Sequence, residues 1–467
     1  MPHFDLIIVG SGSGNSIPGP EFEQWNIAIV EDGLFGGTCL NVGCIPTKMF
    51  VHPAELADAS RHAAHLDVTS HLDAVDWPGM RDRIFGRIDA IEAGGRQYRE
   101  GTGSPNVTVF AGRGVFTGHK ALHVDLHDGN TAELTADRFV LAAGSRAVIP
   151  DIPGLTGGSV PFHTSDSIMR IDRLPASILI LGGGYIAAEF AHVFSSFGVE
   201  VTQLVRGDRL LRSHDADISA AFTAEASARY EVVLGVVPDH VVATETGVAA
   251  TFADASGPRT VEAELLLVAT GRYPNGPRLG VTATGVELHD DGRVVVDEYQ
   301  RTRVEGIYAL GDVSTEYQLK HVANQEARIV RHNLAHPDAP RKSDHRFVPA
   351  AVFTDPQIAS VGLTERQAQE RGLDYAVKQQ DYGDIAAGWA REDRGHFLKV
   401  LSDRRTGLLL GAHVIGPEAA TVIQPLIQAM SFGQLPHEVA RGQYWIHPAL
   451  SELVENALLG LPAPTGS

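Results

Sequence analysis

Cysteine is almost absent from this chain: 467 residues hold two, Cys39 and Cys44. A secreted scaffold stapled by several disulfides is therefore excluded. A thiolate zinc site is a poor fit too, because there is no second pair of cysteines to complete it, and no metal is expected. Clusters of positive charge are also missing. With 38 Lys and Arg against 57 Asp and Glu, a formal charge of −19, the chain lacks the basic footprint that a nucleic-acid backbone requires. Long apolar runs are missing as well. The first one, Leu6-Ile7-Ile8-Val9, is far too short for a membrane span or for the hydrophobic part of an export signal. No membrane partner is expected, and the cytoplasm is the expected compartment. There is no low-complexity tract and no solenoid repeat.

The two retained cysteines share one short segment, Gly36-Gly37-Thr38-Cys39-Leu40-Asn41-Val42-Gly43-Cys44-Ile45-Pro46-Thr47-Lys48. A chain that drops cysteine everywhere else and keeps two with four residues between them points to a redox dithiol. Such chemistry needs a thiolate attacker, an acid for the leaving thiol and a source of two electrons. The size, 50.0 kDa with 43% hydrophobic residues, allows two to four domains with substantial cores.

Two glycine loops point to dinucleotides. The apolar strand at residues 6–9 runs into Gly10-Ser11-Gly12-Ser13-Gly14-Asn15, and residues 26–31 form a second strand that ends in Glu31, where a ribose hydroxyl needs an acceptor. The third glycine position of the fingerprint is Asn15, a departure. Ser16-Ile17-Pro18-Gly19-Pro20 is a poor helix start, so the crossover helix is expected to be short or late. The second loop follows Ile178-Leu179-Ile180-Leu181 and reads Gly182-Gly183-Gly184-Tyr185-Ile186-Ala187, with Ala187 as the third small residue. Its second strand, residues 200–205, ends in Val205 where an acid would accept from the 2′-hydroxyl of NAD. Arg206, Arg209 and Arg212 follow. Guanidinium groups there favour a 2′-phosphate, hence NADPH. The first site, with Glu31, suits FAD, and a flavin is the natural relay between a nicotinamide hydride and a dithiol.

Taken together, these residues resemble the pyridine nucleotide-disulfide oxidoreductases, the glutathione reductase and dihydrolipoamide dehydrogenase group. The resemblance runs through nearly the whole chain. It adds Leu141-Ala142-Ala143-Gly144-Ser145, Val268-Ala269-Thr270-Gly271-Arg272, Ile307-Tyr308-Ala309-Leu310-Gly311-Asp312 and Trp445-Ile446-His447-Pro448-Ala449-Leu450-Ser451-Glu452. It implies an α/β fold with two Rossmann-like domains, for FAD and NADPH, and a C-terminal α+β dimerisation domain. The expected divisions are 1–150 (FAD), 151–275 (NADPH), 276–345 (FAD, returning) and 346–467 (dimerisation). Strand-like stretches at 347–353 and 407–415 and a helix-like stretch at 419–430 fall in the last.

The resemblance also implies roles. FAD would be held by Gly10, Gly12, Gly14, Glu31, Thr38, Gly144, Gly311 and Asp312, and NADPH by Gly182, Gly184, Tyr185, Ala187, Arg206, Arg212 and Gly271. Lys48 and Glu189 would pair beside the flavin, with Tyr185 covering its face. Cys44 would be the flavin-proximal sulfur and Cys39 the interchange thiol. His447, oriented by Glu452, would reach across a homodimer interface to the other subunit's dithiol; imidazole suits proton exchange with thiols near neutrality.

The tail at 459–467 carries no extra thiol pair, and Val205 disfavours the NAD-linked branch. The first glycine loop, Gly10-Ser11-Gly12-Ser13-Gly14-Asn15-Ser16, together with Leu319-Lys320-His321-Val322-Ala323-Asn324, Tyr382-Gly383-Asp384 and residues 443–450, resembles the branch that reduces mycothiol disulfide. The segment 16–25 has no Lys or Arg and carries Glu21 and Glu23, a poor reception for the carboxylates of glutathione disulfide. Dihydrolipoamide dehydrogenase, or a reductase of another small disulfide such as glutathione disulfide, stands as the alternative within the family. A catalytically silent flavoprotein acting as a redox sensor stands as the alternative outside enzymes.

Overall fold

A computed structural model describes residues 1–465; Gly466 and Ser467, the end of the thiol-free tail and of the expected 346–467 division, lie outside the described residues. The apolar run after the N-terminus becomes the strand His3–Val9, whose Leu6, Ile7 and Ile8 are fully buried, as a parallel strand covered on both faces must be. It pairs in parallel with Ile27–Glu31 on one side and Thr131–Leu141 on the other, and Ile307–Ala309 extends the sheet beyond Thr131–Leu141. Register sets where the strands end. Val9 stands opposite both Val30 and Leu141, and Leu141 opposite Ala309. Four strands therefore end level, and the segments that leave them, at Gly10, Glu31, Ala142 and Leu310, converge on one carboxyl edge, where ligands of open α/β sheets bind.

A second parallel sheet has the order Leu265–Val268, Ser177–Leu181, Glu200–Val205, Glu231–Leu234. Leu181 is level with Val268 and Leu204, so Gly182, Ala269 and Arg206 leave its carboxyl edge together. The helix Tyr185–Ser196 begins directly after the glycines, as the pattern predicts. A third sheet is antiparallel, with five strands running from Ala350–Val352 to Tyr375–Asp381. Leu398, Val400 and Val414 form its buried face together with Leu426 and Leu453 from the helices Gln424–Phe432 and Glu452–Leu459.

Two helical expectations change. Between His3–Val9 and Ile27–Glu31 there is no α-helix; the crossover makes two single 3₁₀ turns, Gly14–Ser16 and Pro20–Phe22. Pro18 and Pro20 each remove an N–H donor, which ends helical hydrogen bonding after the first turn. The stretch at 419–430 is two helices, Ala419–Val422 and Gln424–Phe432, because Pro425 can sit in the first turn of the second but cannot continue the first. The strand at 347–353 is shorter than its pattern, Ala350–Val352.

Candidate active site

The dithiol segment makes a short helix, Gly37–Asn41, and then a 19-residue helix, Cys44–His62. Cys44 is the first residue of that long helix, where unpaired backbone N–H groups and the helix dipole favour an anion. Lys48 lies one turn further along the same face. Its Nζ donates to both carboxylate oxygens of Glu189, at 2.8 Å each, and lies 4.7 Å from the centre of the Phe353 ring. Glu189, on Tyr185–Ser196, is 3% exposed and also accepts from the Phe353 N–H at 3.0 Å. The two helices meet through one aromatic core: Phe50 stacks on Trp77, which stacks on Phe194.

Both thiols are free, and the Cys39 S–H donates to the Cys44 sulfur. That hydrogen bond is the main reason the Cys44 thiol is lowered to about 7; Lys48 adds to it, while burial opposes it. The Cys39 thiol is raised, first by the same hydrogen bond and then by burial and by the charge of Cys44. Within one subunit, then, ionisation is favoured at Cys44 over Cys39.

A cavity of about 560 Å³ opens on the dithiol. Of the expected site residues, its walls hold Cys39, Cys44, Lys48, Glu189, Gly10, Gly12, Glu31, Thr38, Gly144, Gly311, Asp312 and Tyr185. Two glycines show why backbone must come close here. Gly10, at φ +106°, would place a Cβ 2.3 Å from the Ala142 carbonyl oxygen. Gly37, at φ +74°, would place one 2.7 Å from the Gly12 Cα, so the dithiol segment and the first glycine loop touch main chain to main chain.

Polar groups brace the loops. Glu31 accepts from the Ser11 N–H at 2.7 Å, the Ser11 hydroxyl at 2.6 Å and the Gly33 N–H at 2.8 Å. The Asn41 amide donates to the carbonyls of Phe35 and Gly37, while its Oδ1 is buried at the cavity with no partner among the described residues. Ser145 donates to Asp312 at 2.6 Å and is held by Arg272 Nε at 2.8 Å. Buried Glu326 accepts from the Gly311 N–H at 2.7 Å.

The other expected residues lie elsewhere. Gly14 and Ala187 are buried in packing contacts, and a Cβ on Gly14 would strike Ile8 and Ala142. Gly182, Gly184 and Gly271 line the turns at the second sheet's edge. Arg206 and Arg212 are exposed beside them without a carboxylate partner among the described residues, and Arg212 covers the face of Gly207. His447 is exposed and is absent from the cavity wall; its Nδ1 lies 2.7 Å from Glu452 Oε1, at the start of Glu452–Leu459.

Sequence reading missed several contributors. Asn41, Ser145 and Arg272 sit inside motifs it had already picked out, so their place beside the glycines was the available signal. The same holds for Ser11, inside the first glycine loop, whereas Glu326 had no such signal. The departure at Asn15 is explained by Arg99, whose guanidinium bonds to both the side chain and the carbonyl of Asn15 at 2.8 Å. The acidity of residues 16–25 is reduced, because Arg331 pairs with Glu21 at 2.5 Å and holds its carboxyl below the usual carboxylate range.

Comparison with known proteins agrees with this geometry. The family described as pyridine nucleotide-disulphide oxidoreductase matches residues 4–327, and its dimerisation domain matches residues 348–458. The chain is 51% identical to mycothione reductase of Mycobacterium tuberculosis, over 99% of this chain and 100% of that one. It is 34% identical to dihydrolipoyl dehydrogenase of Halobacterium salinarum, over 97% and 95%. Among solved structures it is similar to the HOCl-induced flavoprotein disulfide reductase RclA from Escherichia coli, with 27% identity, a TM-score of 0.84 and coverage of 98% and 100%.

The cofactors that this family implies suit the residues present. A glycine-walled cavity with the unpartnered Asn41 oxygen, Glu31 and Asp312 fits FAD beside the dithiol, and unpaired arginines at the second sheet's edge fit the 2′-phosphate of NADPH. The chain belongs to the pyridine nucleotide-disulphide oxidoreductase family, as an NADPH-dependent flavoprotein disulfide oxidoreductase that uses FAD.

Proposed function

We propose that the chain reduces mycothiol disulfide: NADPH, a proton and the disulfide become NADP⁺ and two mycothiol molecules. The observation that carries the reading is the arrangement of Cys44 at a helix start, hydrogen-bonded to Cys39 and succeeded one turn later by the Lys48–Glu189 pair, all on one cavity. The choice of substrate is supported by 51% identity, end to end, with a mycothione reductase.

Bound FAD would supply the transfer of two electrons from NADPH to the dithiol. Gly10, Gly12, Glu31, Thr38, Gly144, Gly311 and Asp312 hold it, with Gly14 acting through packing of the loop. Gly182, Gly184, Tyr185 and Gly271 receive NADPH, with Ala187 packed behind them, and Arg206 and Arg212 bind its 2′-phosphate. Cys44 is the cofactor-facing sulfur and Cys39 the exchange sulfur. The partner subunit's His447 takes the Cys39 proton, so that the Cys39 thiolate attacks one substrate sulfur. The departing mycothiol sulfur takes a proton back from that imidazole. The Cys44 thiolate then attacks the Cys39 sulfur, releases the second mycothiol as a thiolate that takes up the proton of the overall reaction, and restores the Cys39–Cys44 disulfide. Glu452 orients the imidazole through the bond to Nδ1. The enzyme is a homodimer in the cytoplasm, with domains divided near residues 150, 275 and 345.

The test is NADPH oxidation by the FAD-loaded protein with mycothiol disulfide, glutathione disulfide and lipoamide in parallel, each repeated with NADH. Selective turnover of mycothiol disulfide with NADPH is expected. Preference for glutathione disulfide would overturn the substrate, and NADH-linked turnover of lipoamide would favour the dihydrolipoyl dehydrogenase reading.

A further inference from the structure

The stretch Leu319-Lys320-His321-Val322-Ala323-Asn324 has no role in the exchange chemistry proposed for the dithiol. Lys320 opens the 16-residue helix Lys320–Ala335, whose N-cap, Leu319, offers no capping side chain. Its ammonium lines the dithiol cavity and donates to the Ser13 hydroxyl at 2.9 Å. Ser13 in turn donates to Asn324, one turn further along that helix, at 3.1 Å. Ser13, on the first glycine loop, is thus tied to two groups 307 and 311 residues away in sequence. The two lysines of the cavity differ in a decisive way. Lys48 is neutralised by both oxygens of Glu189, whereas Lys320 has no carboxylate partner among the described residues.

We propose that Lys320 is the electrostatic partner of Cys39: Ser13 anchors its ammonium where it supports negative charge on the exchange sulfur. Lys320 and Cys39 line the same cavity, and the charge of Lys320 favours a thiolate at Cys39 as that of Lys48 does at Cys44. Cys44, Lys48, Glu189, Tyr185, Arg272 and Asp312 are among the other charged and titratable groups that share the cavity with Cys39, and in the dimer the proposed partner is the partner subunit's His447. The inference rests on the reading of Cys39 as the exchange thiol.

The experiment is alkylation of the reduced holoenzyme by iodoacetamide between about pH 5 and 10, with mass spectrometry assigning the label to Cys39 or Cys44, in wild type and in a His447→Gln background. Lys320→Met should move the Cys39 midpoint up by about one unit, roughly ten-fold slower labelling below it. Lys320→Arg should restore the wild-type profile, and Ser13→Ala, which keeps the charge and loses its anchor, should fall between. Superimposable profiles for wild type and Lys320→Met overturn the inference, as does a Lys320→Arg profile displaced as far as that of Lys320→Met. Should Lys320→Met fail to accumulate as holoenzyme, Ser13→Ala decides, and an unmoved midpoint overturns the inference. In wild type, where the partner subunit's His447 is present to take the Cys39 proton, labelling confined to Cys44 overturns the exchange-thiol reading itself.

Discussion

Replacing Lys48 by Met would leave the Glu189 carboxylate 3% exposed, with the Phe353 N–H as its remaining donor among the described residues. Two charge-assisted hydrogen bonds of 2.8 Å disappear at once. Losing one partner of a buried ion pair costs roughly 3–5 kcal/mol, because the surviving charge stays desolvated. Lys48 itself is one-third exposed, so water reaches the pair from one side and the lower end applies, about 3 kcal/mol. Adding Glu189→Gln removes the stranded charge while keeping an oxygen for the Phe353 N–H. The double variant should therefore recover about 2 kcal/mol of the loss. The assay is urea unfolding at fixed protein concentration, read by tryptophan fluorescence, with Trp77 stacked on Phe50 of the same helix as Lys48. A Lys48→Met loss below about 1 kcal/mol, or a double variant no more stable than the single one, would refute the reasoning.

Three other perturbations have outcomes set by the geometry. Cys39→Ala removes the hydrogen bond that does most to lower the Cys44 thiol, so its midpoint should rise from about 7 towards the ordinary thiol value and reduced enzyme at pH 7 should hold less thiolate; thiolate absorbance against pH checks this, and an unmoved midpoint would contradict it. Replacing both Arg206 and Arg212 by Ala should raise the KM for NADPH on the order of ten-fold per lost phosphate contact while barely changing that for NADH; equal effects on the two nucleotides would remove these residues from 2′-phosphate recognition. Mixed dimers of Cys39→Ser and His447→Ala chains should regain disulfide turnover, because one of their two sites combines an intact dithiol with an intact histidine. Mixing without recovery would place His447 outside the neighbouring subunit's site.

Local sequence contained much of this protein. Both buried strands before the glycine loops, the helix at Tyr185–Ser196 and the pairing of a dithiol with two dinucleotide loops are set by short-range pattern: apolar runs, glycines at turns and cysteine spacing. Pro18 and Pro20 were equally readable as a break, since a missing N–H acts on the nearest turn whatever the surroundings, whereas the division of the 419–430 stretch at Pro425 was not read in advance.

Tertiary structure decided which groups serve those loops. Val9, Val30, Leu141 and Ala309 end level only through sheet register, and that brings segments 300 residues apart to one edge. Arg99 meets Asn15, Arg331 meets Glu21, Glu326 meets Gly311 and Lys320 meets Ser13 across separations of 15 to 310 residues. The partners of Arg99, Arg331 and Lys320 are distant in sequence, and even Glu326 reaches Gly311 only because its helix folds back over that turn. Hydrogen bonds between side chains and distant backbone leave no periodicity in a sequence. The sequence alone determined the chemistry available, a dithiol with a hydride source; tertiary packing determined which thiol is the easier to ionise, which lysine is neutralised by a carboxylate and which has none among the described residues.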